Sequence, residues 1–229
     1  WTQIGVFAIY SIPLIVQMTL GSAMDFIDGW FVTRYFDPSY FPVFRYGARE
    51  MPLSAMLFSA LSLAMVPEIL MQGKHTLAIK MRATKLMHRL FPLSVILMLL
   101  SPILFPIIYD ATYKDSAFIF NIYLLILTSR VLLPQSFCMA LHQHKVIVWS
   151  GVLEIIANLL LSYWWMQVWG VYGLAMATVV SYFIQKLILI VYNYHKNQIP
   201  LGHYIDIKYY LIYMTSLIIV FFITFNLMT

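Results

Sequence analysis

Five ionisable residues lie close together near the start of the sequence. Asp25 and Asp28 are three residues apart. Arg45 and Arg49 are four residues apart, and Glu50 follows the second arginine. At these spacings the members of each pair share one face of a helix. Two arginines one helical turn apart present fork-shaped donors that suit a diphosphate, which suggests an anion site. The alternative is a set of ion pairs that locks two neighbouring helices. The two hypotheses are compatible if a carboxylate holds an arginine until the ligand arrives.

Three further charged residues interrupt apolar stretches later in the chain. Arg130 is followed four residues later by Pro134, which cannot donate to the carbonyl of residue 130 and bends the helix. We therefore expect Arg130 to face a cavity rather than to reach an interface. Glu154 and Asn158 share a helix face, and the carboxylate could carry a proton, coordinate sodium or simply pair with Arg130. Lys186 is expected to extend its long side chain to the cytoplasmic interface.

The elements that carry these residues are predicted to be membrane spans. Hydrophobic residues make up 62% of the chain and charged residues only 10%, whereas soluble domains have about 45–50% apolar and roughly 25% charged residues. Most of the surface must therefore face lipid. A single cysteine excludes a disulfide-stapled secreted domain. The net charge is +5, and the basic residues lie between the apolar runs. This placement indicates contact with anionic membrane lipids rather than with nucleic acid.

Seven apolar runs are long enough to cross a bilayer, which takes about 20 residues of helix. They occupy about 4–30, 40–70, 90–109, 116–141, 146–166, 170–192 and 209–228. The runs do not alternate apolar and polar residues, so they are helices rather than barrel strands. The predicted fold class is an all-α integral membrane protein, with residues 1–229 forming one transmembrane helical lobe.

The loop charges predict an orientation for these spans. Cytoplasmic loops carry an excess of lysine and arginine, and residues 72–89 contain five such residues and no acid. The cytoplasmic segments are predicted to be 72–89, 142–145 and 193–208, and the external ones 37–39, 110–115 and 167–169. The chain begins without methionine and makes an odd number of crossings, so we expect it to be a piece of a longer protein.

Two sequence runs resemble a known family. Phe-Arg-Tyr-Gly-Ala-Arg-Glu-Met-Pro at 44–52 follows Asp-Phe-Ile-Asp at 25–28, and Trp-Gly-Val-Tyr-Gly-Leu-Ala-Met-Ala occupies 169–177. In these runs, and in span number and loop charge, the chain resembles the second half of bacterial Wzx-type O-antigen and capsule flippases. These belong to the multidrug/oligosaccharidyl-lipid/polysaccharide exporter superfamily, which also contains multidrug exporters and lipid II flippases.

The resemblance implies a protein of about fourteen helices in two lobes, of which this chain would supply the seventh to thirteenth. An N-terminal lobe of the same protein would be its missing partner. Such proteins are expected to move polyprenyl-diphosphate-linked oligosaccharide across the bacterial inner membrane by alternating access, driven by a proton or sodium gradient and without a cofactor. By this resemblance the substrate-binding residues are Arg45, Arg49 and Arg130. The residues expected to take part in ion coupling or ion pairing are Asp25, Asp28, Glu50, Glu154 and Asn158.

Three alternatives are weighed against a flippase. A multidrug exporter of the same superfamily ranks lower, because cavities for cationic drugs favour acids and this sequence has three arginines at membrane depth. A membrane-embedded polysaccharide polymerase or acyltransferase usually needs catalytic residues in a sizeable loop, and no external loop here exceeds about ten residues. A purely structural subunit does not explain the buried charges. We therefore predict a transporter with no catalytic residues and no metal site.

Overall fold

The computed structural model describes residues 23–24, 26–51, 53–72 and 77–228, and helices dominate throughout. Helix α1 contains residues 26–35. The later helices are α2 (Tyr40–Gly47), α3 (Ser54–Gln72), α4 (Leu77–Ile108), α5 (Lys114–Leu124), α6 (Leu127–Arg130), α7 (Pro134–Ala140), α8 (His144–Trp169), α9 (Val171–Asn197) and α10 (Ile207–Met228). Short 3-10 turns precede α5 and α10. The described residues contain no strand.

Five of these helices are long and apolar enough to cross a membrane. They are Ser54–Met71, Leu77–Ile108, His144–Trp169, Val171–Asn197 and Ile207–Asn226, and the bent series from Lys114 to Ala140 would make a sixth span. Their outer faces are largely apolar and exposed, as lipid contact requires. The predicted all-α membrane fold is confirmed. The first predicted span, 4–30, lies mostly outside the described residues.

Helix α4 is longer than the sequence analysis predicted. We expected a cytoplasmic loop over 72–89 and a span over 90–109, but the helix is continuous from Leu77 to Ile108. Residues 77–89 contain no glycine or proline and are rich in leucine, alanine, methionine, lysine and arginine, which are strong helix formers. The charged residues at 80–89 therefore form the first turns of a membrane helix rather than a loop.

The second predicted span, 40–70, is interrupted. Helix α2 ends at Gly47, residues 48–51 are not helical, and α3 begins at Ser54. Leu53 has φ +67°, in the left-handed region that non-glycine residues rarely adopt. The sequence places a proline at position 52, and a residue that precedes proline is disfavoured in helical conformation. Because of this break, Glu50 lies outside a regular helix.

The span predicted over 116–141 is bent at Pro134. The axis turns by 45° between Lys114–Arg130 and Pro134–Ala140. Pro134 is the first residue of α7, where its missing N–H costs nothing. Its carbonyl accepts a hydrogen bond of 2.7 Å from the side-chain amide of Asn193 on α9. The predicted bend is present, and α9 stabilises it.

Contacts between segments group the predicted cytoplasmic loops at one end of the bundle. Lys80 and Asp206 form an ion pair of 3.9 Å, and the Gln143 and Asn197 amides exchange hydrogen bonds. At the other end, Ser116 donates to the carbonyl of Val43 on α2. In the turn over 37–39, which is predicted to be external, the backbone N–H and hydroxyl of Ser39 donate to the Asp37 carboxylate and lower the pKa of that acid.

Helices α8 and α9 form a tight hairpin. Gly170 joins them with φ +59°, which glycine adopts without strain. Gly173, in the first turn of α9, packs so closely on α8 that an added Cβ would collide with the carbonyl of Trp165. The absence of a side chain at Gly173 therefore permits the close contact between the two helices. The hairpin fixes the positions of the polar residues that face inward from both helices.

Candidate functional site

Arg130 is held by one carboxylate and one aromatic ring. It is the last residue of α6, and its guanidinium donates two hydrogen bonds to the two carboxylate oxygens of Glu50, one of them from Nε at 3.0 Å. The carbon of the guanidinium lies 4.6 Å from the ring centroid of Tyr182 on α9. A bidentate pair and a cation–π contact together fix the orientation of the side chain. The pair also joins two interruptions of helices, one at residues 48–51 after α2 and one at 131–133 between α6 and α7.

A cavity of about 480 Å³ opens beside Arg130. Its walls come from α3, α7 and α9, and the ionisable residues among the described ones that line it are Arg130 and Lys186. Gln135 and Ser62 also contribute polar groups, while the remaining lining residues are mostly apolar. The cavity therefore combines positive charge, neutral hydrogen-bonding groups and apolar walls.

Lys186 does not extend to the interface, so that prediction was wrong. The side chain is buried, with 8% of the residue exposed, and its ammonium approaches the amide oxygen of Gln135 at 3.5 Å. The reason is the length of α9, which continues to Asn197 rather than ending near 192. Lys186 therefore lies about three turns inside the helix, which is too far for its side chain to reach the end.

Glu154 is the second buried carboxylate near this cavity. It projects from α8 with 5% exposure and makes no hydrogen bond or ion pair with another described residue. Its electrostatic neighbours are Lys186 and Arg130. Since Arg130 is paired with Glu50, the expected alternative of a Glu154–Arg130 pair is not what the structure shows. Glu154 therefore faces Lys186 as a counter-charge across the α8–α9 interface.

A second polar cluster surrounds Asp28. This residue is 2% exposed, and its carboxylate accepts hydrogen bonds from the hydroxyls of Tyr123 at 2.8 Å and Thr178 at 2.6 Å. The amide nitrogen of Asn158 donates to the Thr178 hydroxyl at 3.0 Å. The amide oxygen of Asn158 is buried and has no hydrogen-bond partner among the described residues. The cluster connects α1, α5, α8 and α9 through oxygen-rich groups.

Glu50, one of the acids predicted to pair within the first hairpin, pairs instead with Arg130. Asp28 accepts hydrogen bonds from the hydroxyls of Tyr123 and Thr178. Arg45 and Arg49 are exposed. Arg45 lines a pocket of about 560 Å³ together with Asp28, and Arg49 lines one of about 220 Å³ together with Glu50. The pockets of Arg45 and Arg49 adjoin each other, since Ala48 and Tyr123 line both, and Arg130 lines a different one. Asp25 lies outside the described residues.

Several residues of these clusters were not predicted from the sequence, although their spacing carries a signal. Thr178, Tyr182 and Lys186 recur every four residues on α9, so they share one helix face. That face lies opposite Glu154 and Asn158 on α8, and the partners contributed by other helices are Tyr123 and Gln135. Among the residues that the structure describes, no group of three or more histidines, cysteines or acids could hold a metal ion.

Comparison with known proteins identifies the fold. No family model and no curated protein sequence matches the chain. Among solved structures, the chain is similar to a MOP superfamily transporter from Pyrococcus furiosus, with a TM-score of 0.63 and 17% sequence identity. The match covers 86% of this chain and 45% of that chain. The chain therefore has the fold of about half of such a transporter and spans less than half of its length.

Proposed function

We propose that the chain is part of a transporter that flips polyprenyl-diphosphate-linked oligosaccharide from the cytoplasmic to the outer leaflet of the bacterial inner membrane. The product would be a surface polysaccharide such as O-antigen or capsule. The observation that carries the proposal is Arg130, an arginine at a helix break within the bundle that lines a cavity and presents its planar fork. Such a fork matches the paired oxygens of a diphosphate. The fold, shared with a transporter, supports the same conclusion.

The charge of the cavity favours an anionic cargo over a cationic drug. Its described ionisable lining residues are a lysine and an arginine, whereas a cationic drug would be attracted by carboxylates. The Pyrococcus transporter is described as having a binding pocket of reversed polarity that suggests a different function for it. Pocket polarity is therefore the property on which we base the choice of cargo.

Glu50 would hold Arg130 until the substrate arrives. A diphosphate carries more negative charge than a carboxylate, so it competes for the guanidinium at short range. Exchange of the partner would separate the two helix breaks that the ion pair joins, 48–51 and 131–133. Interrupted helices around a central site are a common feature of alternating-access transporters. Substrate binding would in this way be linked to movement of α3 against α7.

The cluster around Asp28 is where we place the coupling ion, either a proton or sodium. A buried carboxylate can take up a proton, and the oxygens of Asp28, Thr178 and Asn158 are also the hard ligands that small cations prefer. The buried amide oxygen of Asn158 adds an acceptor that no described residue satisfies. Because the cluster joins four helices, occupancy would change their packing and so the direction in which the cavity opens.

Substitution of single arginines in the full-length protein tests the proposal. We expect Arg130→Ala to abolish surface polysaccharide at normal protein level, and Arg45→Ala and Arg49→Ala to have smaller effects because these side chains are exposed. Arg34→Ala, at an exposed position on α1 away from the three pockets, is the matched control and should have no effect. Normal polysaccharide in a variant with Arg45, Arg49 and Arg130 all replaced by alanine would refute the anion site.

A further inference from the structure

Lys186 is a buried cation with a single weak polar contact. Its ammonium reaches the Gln135 amide oxygen at 3.5 Å, the limit of a hydrogen bond, and no carboxylate among the described residues lies within ion-pair distance. An ammonium has three donors, so at least two have no described hydrogen-bond acceptor. Burial of such a group is costly unless a further partner binds it. Glu154 balances part of this charge without a direct contact, and a ligand that is negatively charged or rich in acceptors would satisfy the remaining donors.

The place where Lys186 lies is a cavity rather than packed protein. The same 480 Å³ space is lined by Arg130, by the Gln135 amide and by the Ser59 and Ser62 side chains. These are hydrogen-bond donors arranged with two positive charges. The apolar lining residues of the same cavity include Phe58, Leu132 and Met139. An anion with several oxygens and an attached hydrocarbon group matches this lining better than a simple inorganic ion.

We infer that Lys186 and Arg130 together form the binding site for a diphosphate group, with Lys186 as the residue that has no ion-paired carboxylate and Arg130 as the one released from Glu50. The inference rests on the proposed function and adds to it one binding residue, Lys186, and the location of the binding site. It selects the cavity between α3, α7 and α9 over the pockets that Arg45 and Arg49 line. The diphosphate could be borne by a lipid or be a free anion.

A structural role for Lys186 makes a different prediction. If the lysine only balances the charge of Glu154, then replacing both residues with neutral ones would preserve folding and ligand binding alike. If Lys186 binds the ligand, the double variant Lys186→Met with Glu154→Gln would fold and still bind poorly. The double variant therefore distinguishes the two roles. It also leaves no uncompensated buried charge, so the test remains possible if Lys186→Met alone does not fold.

The experiment measures binding to the full-length protein in nanodiscs of zwitterionic lipid, by calorimetric titration with farnesyl diphosphate and with inorganic pyrophosphate. We expect Lys186→Met to weaken binding at least about tenfold, since a charge-assisted contact is lost, and Lys186→Arg to retain most of the affinity. The matched control is Lys196→Met, which alters an exposed lysine on the same helix. It should bind as the unchanged protein does. Thermal unfolding of each variant verifies folding.

The outcomes are distinct. Loss of affinity for both probes in Lys186→Met and in the double variant supports the inference. Tighter binding of farnesyl diphosphate than of pyrophosphate would then identify a lipid-borne diphosphate, and equal binding a free one. Affinity within twofold of the unchanged protein in a folded double variant would overturn the inference. That result would leave the flippase proposal standing if Arg130→Ala still abolished surface polysaccharide, so the two failures can be told apart.

Discussion

The ion pair between Arg130 and Glu50 determines how much positive charge the cavity offers to a ligand. The guanidinium is occupied by both carboxylate oxygens, yet both side chains remain 23% exposed, so a ligand can reach the pair. Because both side chains are mostly buried, removal of either partner leaves a charge uncompensated, so each variant of the pair needs a thermal-unfolding measurement beside the binding titration.

Glu50→Gln should increase the affinity for a diphosphate. The neutral amide competes less strongly for Arg130, so we expect farnesyl diphosphate to bind about three- to tenfold more tightly in a direct titration. Glu68→Gln is the matched control, because Glu68 also pairs with an arginine, Arg82, at 2.8 Å but outside the cavity. Unchanged or weaker binding in Glu50→Gln would show that Glu50 supports the ligand site instead of competing with the ligand.

Asp28→Asn should destabilise the protein and remove its response to the coupling ion. Both hydroxyls, those of Tyr123 and Thr178, donate to the same carboxylate oxygen, Oδ2. The amide oxygen of an asparagine can still accept from them, but these hydrogen bonds lose the negative charge that strengthens them. The expected loss is about 1–3 kcal/mol of unfolding free energy. Thermal unfolding should show it, and transport should no longer depend on sodium or pH. Asp37→Asn, in an exposed turn, is the control. Ion-dependent transport by Asp28→Asn would exclude this cluster as the coupling site.

At the residue scale, the sequence indicated that Arg130 faces a cavity but not which residue it pairs with. Arg130 was recognisable because a charge within an apolar run is unusual, and the structure places it beside a cavity. Its partner Glu50 is 80 residues away along the chain, a pairing that only the folded packing determines. Lys186 was misjudged because the prediction depended on where α9 ends, and helix ends are less well marked in sequence than helix centres.

At the scale of elements, two interruptions of regular helix create the site. The bend at Pro134 follows from the chemistry of proline and was predicted. The break at 48–51 was not predicted, although position 52 is also a proline. The apolar composition on both sides of that proline concealed the break, because a broken span and a continuous one have the same hydropathy. The ion pair between Glu50 and Arg130 brings the two interruptions together, so both contribute to one site.

The contact between α8 and α9 should be sensitive to a single methyl group. In Gly173→Ala the added carbon meets the Trp165 carbonyl, so the helices must separate, and we expect a loss of about 1–3 kcal/mol. The matched control is Gly29→Ala, a helical glycine where a Cβ would have an ordinary contact of 3.6 Å. Thermal unfolding in detergent measures both. Equal stability of the two variants would contradict the close packing of the hairpin.

At the scale of the whole molecule, the sequence predicts a lipid-facing surface better than it predicts the contacts between inward-facing residues. Composition alone indicated a lipid-facing surface, because so few charged residues cannot cover a protein of this size with polar groups. The fold of about half of a MOP superfamily transporter agrees with that prediction. Composition does not predict which inward-facing polar residues meet, since these contacts depend on the rotation of each helix about its axis.

The most direct test of the proposed function is deletion of the gene for the full-length protein, followed by measurement of polyprenyl-linked oligosaccharide and surface polysaccharide in the same cells. We predict that the lipid-linked oligosaccharide accumulates inside while the surface polymer disappears. Restoration by the unchanged protein, and not by Arg130→Ala, would link the defect to the cavity. Normal levels of both the lipid-linked oligosaccharide and the surface polysaccharide after deletion would contradict a flippase function.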